Sequence, residues 1–112
     1  MNDLYAIHIQ RMIEAVLTTP GDTDPALRRA VEQKAAELAS RPSVKASEVP
    51  PELAVYVKKV ALHAYKTTDE DIVALRNAGF SEDAIFEITL SAALGAGMAR
   101  LERGLTVLKG DW

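Results

Sequence analysis

The sequence predicts an all-α protein of about five helices, and three observations carry that prediction. Apolar residues recur at helical spacing in five separate segments. No run of four or more alternating apolar residues indicates a strand. Cap-type residues, prolines and glycines mark the ends of the segments. With 112 residues and 48% hydrophobic content, the chain is sized for one domain over residues 1–112.

The first two helices are defined by their ends. The first begins near Asp3 and stops at the Thr-Pro-Gly sequence of residues 19–21. The second opens with the Asp-Pro pair at 24–25, a cap followed by proline at the first helical position, and ends at the Arg-Pro pair at 41–42. Residues 40–50 contain few apolar side chains, so they are predicted to form a surface connection within the domain.

The next two helices are also punctuated by cap signals. The third starts near the Pro-Glu pair at 51–52. For the fourth, two caps are equally consistent with the sequence: Thr67 with Glu70 at capping-box spacing, or Thr68. The acidic residues that follow suit the positive end of a helix dipole. Gly79 can adopt the left-handed conformation that closes a helix, so the fourth helix is predicted to end there.

The fifth helix is predicted to be long. Ser81 caps it and it continues to about Lys109, which gives a length on the order of 40 Å. That length exceeds the width of a domain with an expected radius of gyration of about 13 Å. The helix must therefore bend, break near Gly104 or project into a partner.

The tract over residues 88–99 is apolar or small around the whole helical circumference, which is typical of a helix buried on every side. In so small a domain, we expect part of the cover to come from a second copy, so the protein is predicted to be a homo-oligomer. A membrane span is the competing interpretation. The apolar run is shorter than the roughly 20 residues required and is interrupted by Glu87, so no membrane partner is predicted.

Composition excludes several functional classes. The chain has no cysteine, which rules out disulfides, thiolate metal sites and thiol redox catalysis. A net charge of −3 argues against nucleic-acid binding. Residues 75–79 imitate helix-turn-helix spacing, but the following helix opens with Glu82 and Asp83, which would oppose phosphates. The N-terminal sequence Met-Asn-Asp-Leu-Tyr lacks a basic segment before an apolar core, so a cytoplasmic location is expected.

One segment resembles a known family. Gly-Phe-Ser-Glu-Asp-Ala-Ile-Phe-Glu at 79–87, Ala-Ala-Leu-Gly at 92–95 and Arg-Leu at 100–101 are similar to the C-terminal half of the alkylhydroperoxidase D and carboxymuconolactone decarboxylase family. The family-like part spans about residues 57–109. The resemblance implies a bundle built on a helical hairpin, assembled into dimers, trimers or hexamers through Ala/Gly-rich helices.

The peroxidase branch of that family carries Cys-x-x-Cys-x-x-x-His before the glycine that matches Gly79. Here the corresponding positions fall near Tyr65, Thr68 and Ile72, none of which supports thiol chemistry. The absence of these cysteines therefore excludes the peroxidase mechanism of the family. It leaves open the decarboxylase branch, in which acid and base side chains act on a lactone without a cofactor.

Three side chains are candidates for acid or base chemistry: His63, Tyr65 and Glu87. Histidine is a common general base in enzymes, which makes His63 a candidate for that role, but a partly buried histidine bonded to a backbone carbonyl is the favoured interpretation. Glu87 stands inside an otherwise apolar helix, where it would be desolvated unless a cation or donor meets it. A structural ion pair with Arg100 or Arg103 of a neighbouring subunit is favoured over a surface position or an acid/base role.

Metal and cofactor sites are not predicted. The other histidine, His8, lies on the first helix, where a packing or interface role is favoured. No His-x-x-x-His or Glu-x-x-His spacing occurs, so neither a metal nor a cofactor is expected.

Two functional hypotheses follow. The first is a noncatalytic oligomer that binds a small apolar ligand or a partner between subunits. The alternative is a cofactor-independent lyase or hydrolase that uses His63 with Glu87 or Tyr65, and it requires those side chains to converge in one cleft.

Overall fold

The computed structural model of the protein describes residues 3–40 and 48–109. In these ranges the chain forms five α-helices and one short 3-10 turn, with no strand. The helices are α1 (Asp3–Thr18), α2 (Pro25–Ser40), α3 (Pro51–Leu62), α4 (Asp69–Asn77) and α5 (Glu82–Leu108), and the turn at Ala64–Lys66 joins α3 to α4. The predicted all-α fold of about five helices is confirmed. The predicted connection after α2 falls mostly on residues 41–47, outside the described residues.

The core forms where α2 and α3 pack against α5. Its largest fully buried apolar side chains are Val31 from α2, Leu53 and Val57 from α3, and Ile88 from α5. The apolar stripes of α2 and α3 both pack against α5, and the small residues on that side of α5 form part of the core.

Cap chemistry sets where the helices begin. Asp24 Oδ1 accepts the Ala26 N–H at 2.9 Å ahead of α2, and Ser81 Oγ accepts the Ala84 N–H at 3.0 Å ahead of α5. For α4 the cap is Thr68, whose N–H donates to Asp71 Oδ2 at 2.9 Å in a capping box. The alternative pairing of Thr67 with Glu70 is therefore wrong.

The corner between α4 and α5 is closed by glycine, as predicted. Gly79 has φ 103°, a left-handed conformation that side-chain-bearing residues rarely adopt. The N–H of the next residue, Phe80, donates to the Leu75 carbonyl at 3.1 Å, which completes the end of α4.

The fifth helix is continuous and does not break at Gly104. Its last two turns, beyond Arg100, hold no fully buried side chain, although Leu105 and Thr106 are half-buried. These turns contribute to a long dimension of 46 Å and a Cα radius of gyration of 14.6 Å. Of the three predicted alternatives, the break near Gly104 is therefore wrong, while a bend and projection into a partner stay predictions.

Burial differs between the two sides of α5. One side is buried through Ile88, Ala92, Ala96 and Ala99. The other side is exposed, and it includes Leu90 at 40% exposure. Within one chain the tract is therefore covered on one side only, and cover of the other side by a second copy stays a prediction.

The first helix is packed loosely. None of its described side chains is fully buried, and Ile7 and Met12 are each about half exposed. His8, for which a packing or interface role is predicted, is exposed, so it does not pack within the chain and its interface role stays a prediction. The sparse burial indicates that α1 contributes little to the core.

By length and composition, α5 is the one described helix that could cross a membrane. Half of its most apolar window is buried inside the protein, as is common for the core helix of a globular domain. This property alone is weak evidence for a membrane span.

Candidate functional site

His63 and Tyr65 lie together at the turn between α3 and α4. Both are exposed, Tyr65 at 81%, and their rings meet edge to face with centroids 6.2 Å apart. The favoured interpretation of His63 as a partly buried histidine is wrong, because α3 ends at Leu62 and the chain leaves the core at that point. The pair therefore forms a surface feature and no cleft encloses it.

Glu87 lies apart from His63 and Tyr65, against the loop between α1 and α2. Its carboxylate accepts the N–H of Asp22 at 2.7 Å, the N–H of Thr23 at 2.8 Å and the Thr23 hydroxyl. A side chain added at Gly21 would collide with this carboxylate, so the glycine gives Glu87 room to approach the loop. The donors predicted to meet Glu87 are thus backbone and hydroxyl groups of its own chain.

Arg28 completes this arrangement from α2. It is only 3% exposed, and its guanidinium donates to the carbonyls of Val16 at 2.7 Å and Thr19 at 2.5 Å. These carbonyls lie at the end of α1, where helical partners are missing. Glu87 and Arg28, hereafter the corner latch, together fix the α1–α2 corner onto α5.

The latch also sets the electrostatics of Glu87. Burial by itself would raise the pKa of the Glu87 carboxyl, but hydrogen bonds from Thr23 and Asp22, with the charge of Arg28, outweigh it and lower the pKa below its ordinary value. A carboxyl held in its charged form is suited to a structural anchor. A general acid requires the opposite shift.

The three predicted site residues do not share a site. Arg100 of α5 donates to the carbonyl of Ala61, two residues before His63, at 2.5 Å. Arg100 lies between three and four helical turns beyond Glu87, which is on the order of 20 Å along α5. His63 and Tyr65 are therefore near one part of α5 and Glu87 is near another, beyond the reach of a shared proton transfer.

The predicted ion pairs of Glu87 are not formed within the chain. Arg100 is engaged with Ala61, and the carboxylate of Glu87 is engaged with the loop. Pairing with Arg100 or Arg103 of a neighbouring subunit stays a prediction, although Glu87 would have to share an oxygen that already accepts a hydrogen bond.

Clefts on the surface of the described residues adjoin both ends of α2. One, of about 350 Å³, lies between α2 and α5 over Met98 and Ala99 and is flanked by Glu32 and Glu102. Burial, followed by the neighbouring charge of Glu102, raises the pKa of the Glu32 carboxyl. We call this the α2–α5 cleft.

The second cleft, of about 380 Å³, lies between the α1–α2 loop and the α4–α5 corner. Ser81 Oγ donates to Asp22 Oδ2 across it at 2.8 Å. Neither cleft is lined by His63, Tyr65 or Glu87. Over residues 3–40 and 48–109, no group of three or more His, Asp or Glu side chains is placed to hold a metal ion.

One side of α5 is exposed along the length of the helix. Its members recur at spacings of three and four, so they lie on one helical stripe. The stripe, hereafter the open face, consists of Phe86, Leu90, Ala93, Gly97, Leu101, Gly104 and Leu108. Phe86 is 64% exposed and Leu108 is 82% exposed, so large apolar side chains stand in water at both ends.

Comparison with known proteins identifies no relative: no family model matches the chain, and neither does any curated protein or solved structure.

Proposed function

We propose that this chain is a noncatalytic binding protein that works as a homo-oligomer, with a carboxymuconolactone decarboxylase-like helical architecture that has lost the redox cysteines. The observation that carries the proposal is the open face of α5. Contiguous exposed apolar surface is typical of interaction sites, whereas single exposed apolar residues are ordinary. Here the exposed residues form one continuous stripe.

Leaving that apolar stripe in contact with water costs free energy. Apolar surface removed from water contributes about 25 cal/mol per Å². Phe86, Leu90 and Leu101 are 64%, 40% and 39% exposed, so each retains area to bury. Cover from another helix would bury these side chains together and leave the polar surface of α2 and α4 in water.

Ligand binding fits the same scaffold. The α2–α5 cleft has a volume within the range of small-molecule sites, which run from about 300 to 1,000 Å³. Met98 and Ala99 offer an apolar surface there, and the cleft is open on one side. The cleft lies on the α2 side of α5, opposite the open face, so a second copy bound to the open face would leave it accessible to a ligand.

The alternative function, a cofactor-independent lyase or hydrolase, is not favoured by any observed contact. It requires His63 and Glu87 within about 3 Å of one reacting proton. Glu87 is occupied in the corner latch and His63 is exposed at the far end of α3. Turnover of a lactone that disappears in His63→Ala, with assembly intact, would favour the enzyme instead.

The test of the proposal is the state of assembly. Sedimentation velocity across a wide range of protein concentrations is expected to show an oligomer that dissociates on dilution. Leu90→Glu should abolish it, because a charge placed in the open face would be desolvated on pairing. Val73→Glu is the matched control, since Val73 is 55% exposed on α4, outside the open face.

Two results would contradict the proposal. One is a wild-type chain that stays monomeric at every concentration. The other is equal loss of assembly in the Leu90→Glu and Val73→Glu variants while circular dichroism shows both to be folded.

A further inference from the structure

Glycines on the two sides of α5 have different surroundings. A Cβ added at Gly95 would overlap the carbonyl oxygen of Glu32, so the close approach of α2 requires glycine there. A Cβ added at Gly97 or Gly104 would meet nothing within 4 Å. Glycine is disfavoured inside helices relative to alanine, and no described neighbour of Gly97 or Gly104 accounts for it.

The open face has a second property, a mirrored order of side-chain sizes about Gly97. Leu90 and Gly104 lie seven residues on either side of it, which places a large side chain opposite a small one. Ala93 and Leu101 lie four residues on either side and again combine small with large. Phe86 and Leu108, eleven residues away, are large at both ends.

This order is what a two-fold interface requires. In such an interface one surface meets a copy of itself, so a residue above the axis contacts the residue equally far below it. Leu90 of one copy would then fill the notch at Gly104 of the other, and Leu101 the notch at Ala93. At the axis, Gly97 would meet Gly97, which lets the helices approach to about 8 Å.

We propose that two copies of this chain pair through the open faces of their α5 helices, antiparallel, with the two-fold axis at Gly97. The inference rests on the proposed function, since it names the partner and geometry of the same face. The partner is a second copy because the face is complementary in size to itself.

Charge supports the antiparallel direction. The first turn of α5 carries Glu82 and Asp83, and the helix is followed by Lys109. Antiparallel pairing brings the acidic start of one helix near the lysine-bearing end of the other, and it also opposes the two helix dipoles. Parallel pairing would place the two acidic starts side by side.

Engineered single cysteines test the geometry directly, because the chain has no cysteine of its own. A disulfide requires Cα atoms about 4.4 to 6.8 Å apart. Under mild oxidation, Gly97→Cys should therefore form a covalent dimer with itself. Phe86→Cys alone and Leu108→Cys alone should not, but a mixture of the two should form the mixed disulfide. Glu70→Cys, exposed on α4, is the control for random collision.

The outcomes separate the inference from the proposed function. Self-crosslinking of Phe86→Cys above the control would overturn the antiparallel pairing in favour of a parallel one. Wild-type dimers in sedimentation, with Gly97→Cys no more reactive than Glu70→Cys, would overturn the inference and leave the proposed function standing. A monomer that does not crosslink would overturn both, and its binding to phosphatidylcholine vesicles would assign the open face to a membrane.

A second variant guards against a cysteine that perturbs the pairing. Gly97→Leu places a large side chain at the axis, where the two helices should be closest. The dissociation constant of the dimer is expected to rise by at least about tenfold, equivalent to about 1.4 kcal/mol. Because no described residue outside the same stretch of α5 lies within 4 Å of a Cβ at that position, the helical circular dichroism should not change. An unchanged dissociation constant would overturn the proposed axis.

Discussion

The two sides of α5 are built from the same kinds of residue and meet different environments. Around Gly95 the small side chains lie against α2, and the backbone of Glu32 occupies the space that a side chain would need. Around Gly97 the small side chains face open space. Small residues in this helix therefore allow close packing with α2 on one side and leave the other side open to a further contact. The amino-acid composition of the helix does not distinguish the two.

The largest expected loss of stability comes from a substitution on the side of α5 that α2 covers. Gly95→Ala would force a methyl group into the carbonyl of Glu32, and a backbone atom cannot move aside as a flexible side chain can. We expect a loss of about 3 kcal/mol in the free energy of unfolding, at the upper end for overpacked cores. Urea denaturation followed by circular dichroism measures it. A variant as stable as the wild type would show that α2 does not approach α5 so closely.

The corner latch comes next, since it ties the covered side to the α1–α2 loop. Glu87→Gln keeps the size of the side chain but removes the charge that three donors share, so we expect a loss of about 2 kcal/mol at pH 7. Glu70→Gln, exposed on α4, is the control for lost charge. Urea denaturation of both variants beside the wild type measures the difference.

The same variant predicts a pH dependence. The pKa of Glu87 is lower in the folded than in the unfolded protein, so its stabilisation is complete above the unfolded value of about 4.3. It is lost as the pH falls through the folded pKa. The difference between wild type and Glu87→Gln should therefore shrink on acidification to about pH 3. A difference that is constant with pH would contradict the charged state assigned to Glu87.

On the open side of α5, Gly97→Ala should stabilise the folded monomer and weaken the pairing of two monomers. With no atom near the added methyl group, helix propensity should stabilise the monomer by up to about 1 kcal/mol. Pairing should weaken, because the axis position no longer allows the closest approach. Thermal melts under dilute, monomeric conditions and sedimentation under concentrated ones measure the two effects. A destabilised monomer would mean that a described neighbour does cover this side.

Local signals in the sequence predicted the helices well because caps act over a few residues. The Asp-Pro pair before α2, the glycine at 79 and Ser81 before α5 each act on the backbone next to them, so their outcome does not depend on the rest of the fold. The choice between Thr67 and Thr68 was open because both lie at suitable spacing. The tertiary pairing of Lys59 with Asp71, at 2.8 Å, accompanies the Thr68 cap in the folded protein.

The site was harder to predict because its contacts are long range. Glu87 was identified as a carboxylate in need of a partner, but its donors lie 64 and 65 residues earlier in the chain. No local spacing marks Thr23 or Arg28 as partners. The sequence shows only a charged residue inside an apolar helix. That pattern predicts that the charge has a partner but does not identify the partner.

The smallest expected effect concerns Glu32, whose backbone lies on the covered side while its carboxyl faces the α2–α5 cleft. Burial and the charge of Glu102 raise its pKa, so the charged form is less stable in the folded than in the unfolded protein. Stability should therefore fall as the pH rises from the unfolded pKa through the folded one. Glu32→Gln should gain a few tenths of a kcal/mol at pH 7, with no gain near pH 3. Glu102→Gln should give a smaller gain in stability at pH 7, because the charge of Glu102 contributes less than burial to the raised pKa of Glu32. A stability loss in Glu32→Gln at pH 7 would instead show that the charged carboxylate has a stabilising partner in the folded protein.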